Sequence, residues 1–500
     1  MVVKPAGFTG RFDTLNAEAP VTGSGLSKIL LIPAPCIRGR HIEAYVPYGV
    51  FSLQAAACQC GGGVDVFSSY DSLSDMSFAS SRTLAEAIIS HVKLQDYDTI
   101  GLSTMCNSFH HSLNMARCIK GLAPEIAIWM GGPHVSTAPE QVLNAFQEVD
   151  AVFVGEGEAT LLEILARRAR GKYGLQGIAG VYTREDSYTP RPAIENLDEL
   201  PYISLAQDFL PTFSSAQPYN SPKKIPLEAS RGCPGRCIYC STRLNWGKRV
   251  RRKSDTRLIS EMRQLAELTG MSQFMLIGDN FGSPRERLLQ FCGAMAQEAT
   301  DFVWHCNIKM DRLRLADLDV LWEGNCRGIF VGIESASQDT LDRIRKDIDL
   351  ERELKMVYRA IEMGFLIETS FIIGFPWETS KDISRTFRLH CDLLEHGVFR
   401  SQIWVLCPLP GTALTKEIGD QVRFGPMVSR IAMDDMPADE ETDQLFLRYP
   451  SIFSQFGYFE TPGVSWIDIS ATADAALQLS NVYADKHQEA LPPKDDVRAR

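Results

Sequence analysis

Three cysteines lie within eight residues of the sequence, Cys233, Cys237 and Cys240 in the stretch GCPGRCIYC. Structural zinc is usually held by four ligands in two spaced pairs, and no second CxxC or HxxxH pair accompanies this triplet. Iron–sulfur clusters are also held by thiolates, usually four. A cubane held by only three thiolates keeps one iron open, and an open iron is a place for chemistry. The spacing therefore favours such a cluster over zinc.

The residues between and around these cysteines suit a loop that wraps a cluster. Gly232, Pro234 and Gly235 let the backbone curl without side-chain clashes. Arg231 and Arg236 can offset the negative charge of a cluster.

The composition is that of a globular protein. The chain has 500 residues, 45% hydrophobic, with a formal net charge of -11, so we expect two or three domains and neither nucleic-acid nor anionic-membrane binding. No apolar run reaches the roughly 18 residues of a membrane helix, and the N-terminus lacks a secretory signal. The 13 cysteines are therefore predicted to be reduced thiols, as in a cytoplasmic protein.

The elements that must position these residues form two βα series. Five short apolar runs with helical patterns between them predict an N-terminal Rossmann-like, doubly wound parallel sheet, whose ligands bind beyond the carboxyl ends of the strands. The glycines of GGPHVS, Gly131–Ser136, follow one such run and allow close approach to a ligand, although a tight βα turn explains them equally. The five runs are 28–35, 64–71, 98–105, 126–132 and 150–157.

A second series follows the cysteines. It has six βα repeats over about 185 residues, whereas a full TIM barrel has eight repeats in about 250 residues. The series therefore predicts a partial (β/α)6 barrel of the TIM type. The predicted organisation is a flexible lead 1–27, a Rossmann-like domain 28–170, a linker 171–225, a barrel 226–412, and a small helical C-terminal capping region with a disordered tail, 413–500.

The triplet, with Tyr239 just before its last cysteine and a strand before it, resembles the radical S-adenosylmethionine superfamily. The resemblance implies that S-adenosylmethionine chelates the open iron of a 4Fe–4S cluster. One electron, from a reductant such as flavodoxin or ferredoxin, then cleaves it to a 5′-deoxyadenosyl radical that acts on a small molecule. Cys233, Cys237 and Cys240 are the implied cluster ligands.

Later motifs extend the resemblance and imply further cofactor-binding residues. IGDN departs from the family's usual Gly-Gly-Glu, and Asp279 takes the place of the acid that meets the methionine amine. GIESAS resembles the ribose-contacting segment, with Glu334 and Ser335 as candidates, and SFIIGFPWET resembles the segment whose backbone, at Gly374, packs against adenine. Tyr239 is assigned to cofactor binding as well. Each motif alone also fits an ordinary strand end.

The N-terminal series resembles the cobalamin-binding domain of the methylating members of this superfamily. The resemblance implies that the nucleotide tail of cobalamin lies beside two loops, Gly131, Gly132 and Pro133, and Gly155, Glu156 and Gly157. The lower face of the corrinoid would meet Met105, Asn107 or Ser108. The Asp-x-His-x-x-Gly cobalt-ligand motif does not occur, and the lone His41 is interpreted as a surface residue.

This resemblance implies a cobalamin-dependent C-methyltransferase acting on a small, natural-product-type substrate. Three alternatives stay open: a radical enzyme that cyclises, oxidises, contracts a ring or transfers an aminocarboxypropyl group; a domain that has lost cobalamin and serves as scaffold; and a cofactor-binding sensor. Which face of the strand WHCNIKM lines the substrate cavity also stays open. Trp304, Cys306 and Ile308 lie on one face, and His305, Asn307 and Lys309 on the other.

Overall fold

The computed structural model describes residues 28–38, 41–42, 45–216, 223–298, 301–425 and 439–490. They divide into two compact units. The first comprises the described residues within Met1–Cys36, His41–Ala216 and Arg251–Arg257, and the second those within Ile37–Arg40, Gln217–Val250 and Leu258–Arg500. The predicted lead 1–27 and the last ten residues of the predicted tail lie outside the described residues.

The described strands and helices follow one another along both units. In chain order the strands are β1 (Ile29–Ile32), β2 (Ile37–Arg38), β3 (His41–Ile42), β4 (Val64–Val66), β5 (Thr99–Ser103), β6 (Ala127–Gly131), β7 (Ala151–Phe153), β8 (Val181–Tyr182), β9 (Ile225–Glu228), β10 (Ser230–Arg231), β11 (Arg251–Arg252), β12 (Gln273–Ile277), β13 (Val303–Asn307), β14 (Cys326–Glu334), β15 (Leu366–Ile373) and β16 (Arg400–Val405). The α-helices are α1 (Tyr48–Gln59), α2 (Ser81–Ser90), α3 (Phe109–Leu122), α4 (Pro139–Ala145), α5 (Glu158–Arg168), α6 (Phe209–Ser215), α7 (Thr242–Trp246), α8 (Asp255–Thr269), α9 (Arg285–Gln297), α10 (Asp317–Glu323), α11 (Gln338–Arg343), α12 (Leu350–Glu362), α13 (Ser380–Glu395), α14 (Ala413–Ile418), α15 (Glu440–Arg448) and α16 (Trp466–Ala490).

The first unit is built on a six-stranded sheet in the order β4–β1–β5–β6–β7–β8. The first five of these strands are parallel and β8 is antiparallel to β7. Every residue of β1 is buried, as expected for a parallel sheet covered on both faces. The strand order reverses at β1, and ligands of such sheets bind outside the carboxyl ends at that switch point, here between β1 and β5. The predicted doubly wound fold is confirmed.

The described part of the predicted linker 171–225 differs from that expectation. Up to Ala216 it belongs to the first unit, where Val181 of β8 pairs with Phe153 of β7. Leu197 and Phe209 from this stretch are 0% exposed. Such single apolar residues, separated by Pro, Ser and Asn, leave no periodic signal in the sequence although each is packed.

The second unit contains a six-stranded sheet whose order follows the chain, β9–β12–β13–β14–β15–β16. All five strand pairs are parallel. Over the described ranges β9 and β16 do not pair, so the sheet is not closed into a full barrel. The predicted partial (β/α)6 barrel is confirmed, and the cysteine triplet follows its first strand.

Helices cover one face of this sheet. α13 begins with a capping box, in which Thr379 and Asp382 satisfy each other's backbone N–H groups. α16, in the predicted C-terminal region, packs on β16 and α13, and the hydroxyl of Ser480 accepts a hydrogen bond from the backbone N–H of Ser401 at 3.3 Å. Among the described helices, none has the length and apolar character that crossing a membrane requires.

Candidate functional site

The cysteine triplet forms a loop between β10 and α7. A Cβ placed on Gly235 would lie 3.3 Å from Cys233 Sγ and 3.9 Å from Cys237 Sγ, so both sulfurs face the space that this glycine keeps open. Cys240 Sγ accepts a hydrogen bond from the backbone N–H of Thr242 at 3.5 Å. All three cysteines are free and half-buried, and burial raises the pKa of the Cys233 and Cys237 thiols.

The donor set of this loop fits an iron–sulfur cluster. Three thiols are the ligands that iron–sulfur clusters take, and Gly235 leaves room beside two of them. Within the part of the chain that the structure describes, no three His, Cys, Asp or Glu side chains are arranged as a finished metal site. The loop therefore offers three thiol ligands and the space beside them.

The two arginines beside the triplet are engaged by carboxylates. Arg231 forms a buried bidentate pair with Glu228, both N···O distances being 2.9 Å, and lies over the ring of Trp246. Arg236 is exposed and lies 3.3 Å from the carboxylate of Asp347. The expectation that these arginines offset cluster charge is therefore weakened, since each already faces a negative partner.

Four of the cofactor-binding residues predicted in the second unit surround the triplet or the strand ends beside it. Asp279 is exposed and its Oδ1 accepts a hydrogen bond from the hydroxyl of Thr242 at 3.0 Å, which ties it to the cysteine loop. The hydroxyl of Tyr239 hydrogen-bonds to Glu334, and burial together with this carboxylate raises the pKa of Tyr239 well above its usual range. Ser335 is turned inward, because its hydroxyl accepts from the backbone N–H of Ser337 at 3.2 Å and it is fully buried.

Sequence reasoning missed a lysine at this place. Lys346 Nζ lies 2.6 Å from Glu334 Oε1, and both side chains are nearly buried. Glu334 has a left-handed backbone, with φ of 72°. The two partners are twelve positions apart in the chain, so the sequence carries no local signal for the pair.

Gly374 also depends on a residue that the sequence reasoning did not assign. Its φ is 94°, in the left-handed region that favours glycine. The fully buried carboxylate of Glu378 accepts hydrogen bonds from the backbone N–H groups of Gly374 at 2.8 Å and Phe375 at 3.0 Å. A carboxylate at the end of the apolar run SFIIGFPWE is the signal that would have identified it.

The faces of β13 and β16 show which residues turn away from the helices. Trp304 donates its indole N–H to the carbonyl of Gly324 at 2.6 Å, so it lies in the helix layer. Ser401 bonds to His390 of α13 at 2.8 Å. The half-buried Gln402 and Trp404 therefore lie on the opposite face of β16 from Ser401.

That opposite face carries several polar side chains. His305 and Asn307 of β13 lie on it, because they alternate with Trp304. Burial lowers the pKa of His305 to about 3, so its ring is neutral. A Cβ on Gly328 would clash with this ring, which explains the glycine on the neighbouring strand. Of the residues of WHCNIKM within β13, His305 and Asn307 therefore lie on the face away from the helices and Trp304 lies on the face toward them.

In the first unit, three loops meet at the carboxyl edge of the sheet. The hydroxyl of Thr104, after β5, donates to the carbonyl of Gly131 at 2.9 Å. Gly132 has a φ of 112°, and a Cβ there would lie 2.5 Å from the Thr104 carbonyl oxygen. Ser136 joins the third loop, donating to the Gly132 carbonyl at 2.8 Å and accepting from the Gly155 N–H at 3.1 Å.

Two of the residues predicted at this edge, Met105 and Ser108, leave groups available to a ligand. Met105 is 45% exposed, while Pro133 and Asn107 are half-buried. Ser108 is buried, and its hydroxyl has no hydrogen-bond partner among the described residues. An exposed apolar side chain and a buried unpaired hydroxyl beside a glycine-lined edge fit a large, amphipathic cofactor such as cobalamin.

Two other predicted residues have structural partners instead. The carboxylate of Glu156 is buried, accepts from the backbone N–H of Ile194 at 2.9 Å and pairs with Arg251. Gly157 packs against Leu53, where a Cβ would come within 3.0 Å of the leucine side chain. His41 is exposed, as expected for a surface histidine.

His134, in the same edge, was not singled out by the sequence reasoning. It is 3% exposed, neither ring nitrogen has a hydrogen-bond partner within the described ranges, and its ring packs 4.5 Å from that of Phe109. Burial lowers its pKa to about 3, so the ring is neutral at physiological pH.

Comparisons with known proteins agree with these two sites. The profile of the Radical SAM superfamily matches residues 227–390, and that of the B12 binding domain matches residues 45–165. An uncharacterized methyltransferase of Pyrococcus horikoshii is 31% identical over 327 residues, which cover 65% of this chain and 70% of the relative.

Two further proteins are more distant. The anaerobic magnesium-protoporphyrin IX monomethyl ester cyclase of Rubrivivax gelatinosus is 23% identical over 396 residues, covering 73% of this chain and 67% of the cyclase. The radical S-adenosylmethionine methyltransferase TsrM of Kitasatospora setae, solved with cobalamin and a 4Fe–4S cluster bound, has a TM-score of 0.65 at 16% identity over 90% of this chain and 91% of TsrM, which shows the same fold. The chain therefore belongs to the radical S-adenosylmethionine superfamily, in the group with a B12-binding domain, and is a radical S-adenosylmethionine enzyme whose cofactors are a 4Fe–4S cluster, S-adenosylmethionine and cobalamin.

Proposed function

We propose that this enzyme is a cobalamin-dependent C-methyltransferase acting on a small, natural-product-type molecule. The observation that carries the proposal is the union, in one chain, of a cysteine triplet after the first strand of an all-parallel sheet with a B12-binding domain. Methyl transfer to carbon gives both cofactors a use, since one would supply the radical and the other the methyl group. The methyltransferase relative from Pyrococcus horikoshii supports the same reaction class.

In the second unit, Cys233, Cys237 and Cys240 would hold the cluster. When bound, the cluster supplies the electron that cleaves S-adenosylmethionine, and cobalamin supplies a methyl group. Asp279, beside the cysteine loop, would accept from the amine of S-adenosylmethionine. Glu378 would keep the backbone at Gly374 in the conformation that receives adenine.

The remaining predicted residues of this unit have supporting roles in the proposal. Tyr239 would fix the carboxylate of Glu334 beside the ribose through the hydrogen bond between them. Ser335, whose hydroxyl is already used by the Ser337 N–H, would contribute through its backbone.

In the first unit, the edge around Thr104 and Gly132 would receive cobalamin. Met105, Asn107 and Ser108 would face the corrinoid, and the backbone at Gly131, Gly132, Pro133 and Gly155 would leave room for its nucleotide tail. Glu156 and Gly157 would hold the loop in place without contacting cobalamin, since Glu156 accepts from the backbone N–H of Ile194 and Gly157 packs against Leu53.

The substrate would bind on the polar face of the second sheet. Asn307, Ser370 and Gln402 present hydrogen-bonding groups there, and Ser370 and Gln402 are register partners on β15 and β16. Trp404, near the carboxyl end of β16, would cover a planar or apolar part of the molecule. The described parts of the C-terminal region, 413–425 and 439–490, would cap it.

A second candidate is a radical cyclase that binds cobalamin without net methylation. The Rubrivivax gelatinosus cyclase favours it, because that protein matches a longer part of this chain than the methyltransferase does. Its lower identity makes it the weaker candidate.

Cofactor and label measurements distinguish the two. The protein would be purified anaerobically after expression with added cobalamin, and corrinoid and iron counted. About one corrinoid and about four irons per chain are expected. Turnover with methyl-deuterated S-adenosylmethionine should then deliver the label to a small-molecule product. If the label stays on the cofactors and the product is cyclised but unlabelled, the second candidate is supported. A protein that binds iron but no corrinoid would contradict both candidates.

A further inference from the structure

One cation of the second unit lies against the cysteine triplet from a different part of the chain. Lys346 lies in the loop between α11 and α12, which is joined to the cysteine loop at two points. The backbone N–H of Ile238 donates to the carbonyl of Ile344 at 3.0 Å, and Arg236 lies 3.3 Å from the carboxylate of Asp347. At this place the charge of Lys346 lowers the pKa of the Cys233 and Cys237 thiols, against the larger effect of burial. Its side chain is 11% exposed. Water therefore screens this interaction less than it would at an exposed site.

The backbone around Lys346 holds it in this place at some cost. Arg345 and Asp347, on either side, both have φ of 54°, and its partner Glu334 has φ of 72°. Side chains with a Cβ rarely adopt this region, and such conformations concentrate at functional sites. Gly332 completes the arrangement, because a Cβ there would lie 2.5 Å from Glu334 Oε1 and 3.1 Å from Lys346 Nζ.

The neighbouring cations are differently placed. Arg231 is neutralised by its bidentate pair with Glu228, and Arg236 is exposed beside Asp347. Lys309 donates to the carbonyl of Asp347 at 2.9 Å and lies 3.4 Å from Asp311. Lys309 also acts on Cys237, but its side chain is 19% exposed against 11% for Lys346, and Lys346 acts on Cys233 as well.

We propose that Lys346 is a positioning residue that stabilises the reduced state of the cluster, and that Glu334 holds it in place and moderates its charge. One-electron reduction by an external donor adds one negative charge to the cluster and moves no proton. A fixed, poorly solvated ammonium favours that added charge. The proposal rests on cluster ligation by Cys233, Cys237 and Cys240.

The test is a redox titration of the full-length, reconstituted protein without S-adenosylmethionine, with dithionite as electron donor and electron paramagnetic resonance as readout. For Lys346→Met, the ratio of reduced to oxidised cluster at a fixed potential should fall about tenfold, the effect of one partly screened charge. Lys346→Arg should restore most of it. Arg236→Met removes an exposed cation near the same loop and should leave the ratio unchanged.

Glu334→Gln gives an independent arm, since it keeps the lysine and removes the charge that moderates it. Its reduced fraction at the same potential should rise. The proposal would be overturned if Lys346→Met binds nearly as much iron as the wild type and its ratio of reduced to oxidised cluster is unchanged. If Lys346→Met fails to hold iron, an unchanged ratio in Glu334→Gln with near-normal iron content would overturn it instead. A wild-type protein that binds no iron would instead contradict the cluster ligation on which it rests.

Discussion

Two buried carboxyl groups make the stability of the second unit depend on pH. Glu353 and Glu378 are both 0% exposed, and burial raises the pKa of each to about 7 from 4.5. Between about pH 4.5 and 7 the folded state therefore holds protons that the unfolded chain has released. Stability falls as the pH rises through this window and stays lower above it.

Replacing Glu378 by glutamine should remove one part of this dependence. Glutamine keeps an oxygen for the N–H groups of Gly374 and Phe375 and never ionises. On raising the pH from about 5 to about 8, the wild type should lose stability relative to Glu378→Gln by on the order of 3 kcal/mol. Thermal unfolding at both pH values measures this. Glu351→Gln, at an exposed position of α12, is the control, and an identical pH dependence in Glu378→Gln and wild type would contradict the prediction.

A second residue-scale prediction concerns the carboxyl edge of the first sheet. Gly132→Ala places a Cβ 2.5 Å from the Thr104 carbonyl oxygen at a φ of 112°, whereas Gly155, with φ of 79°, has nothing within 4 Å of that position. Gly155→Ala should cost about 1 kcal/mol from backbone strain alone, and Gly132→Ala about 3 kcal/mol because the clash adds to it. Unfolding curves of the two variants test this. Equal losses of unfolding free energy would mean that the loop at Thr104 moves to accommodate the added Cβ.

At this scale the sequence is informative where one residue type is tied to one kind of chemistry. The structure brings Asp279 beside the loop of the three thiols, because the strand ends of a parallel sheet meet at one edge. Lys346 could not be predicted, since its role depends on Glu334, which a turn and a helix separate from it. The inward orientation of Glu156 likewise depends on Ile194, in a segment without periodicity.

At the scale of elements, the two faces of β16 differ in what they contact: one packs against the helices and the other faces away from them. Ser401 accepts a hydrogen bond from Thr369 at 2.9 Å and bonds to His390 at 2.8 Å, both within the helix-covered layer. Gln402 and Trp404 face the other way. The strands themselves are predictable from apolar runs, but the face that each presents is not, because both faces of a parallel strand are largely apolar.

Adjacent substitutions on β16 should therefore separate stability from substrate use. Ser401→Ala leaves two buried partners unsatisfied and should cost about 1–3 kcal/mol. Gln402→Ala removes no internal hydrogen bond described for it and should change stability by less than about 0.5 kcal/mol, while raising KM for the substrate. Thermal unfolding and steady-state kinetics on both variants measure these effects. Equal destabilisation by the two would show that both faces are packed.

At the scale of the whole molecule, each of the two units has its own sheet and its own candidate cofactor site. The presence of two units, and the fold of each, can be predicted from the alternation of strand-like and helical segments in the sequence. The boundary at Ala216 does not, because the packing of 171–216 comes from isolated residues such as Leu197 and Phe209. Since the residues of each site come from one unit, loss of one cofactor need not remove the other.

Variants in the two units should therefore lose different cofactors. Cys237→Ala should lower iron content to a small fraction of the wild type and keep about one corrinoid per chain. Gly132→Ala should do the opposite, because its added Cβ displaces the loop beside Thr104 while the cysteine loop is untouched. Iron and corrinoid counts on the same anaerobic preparations measure both. Gly171→Ala, at a φ of 72° with nothing within 4 Å of the added Cβ, controls for a general effect of substitution in the first unit. Loss of both cofactors from either single variant would mean that the two sites are filled in a dependent order, and that the units cannot be loaded separately.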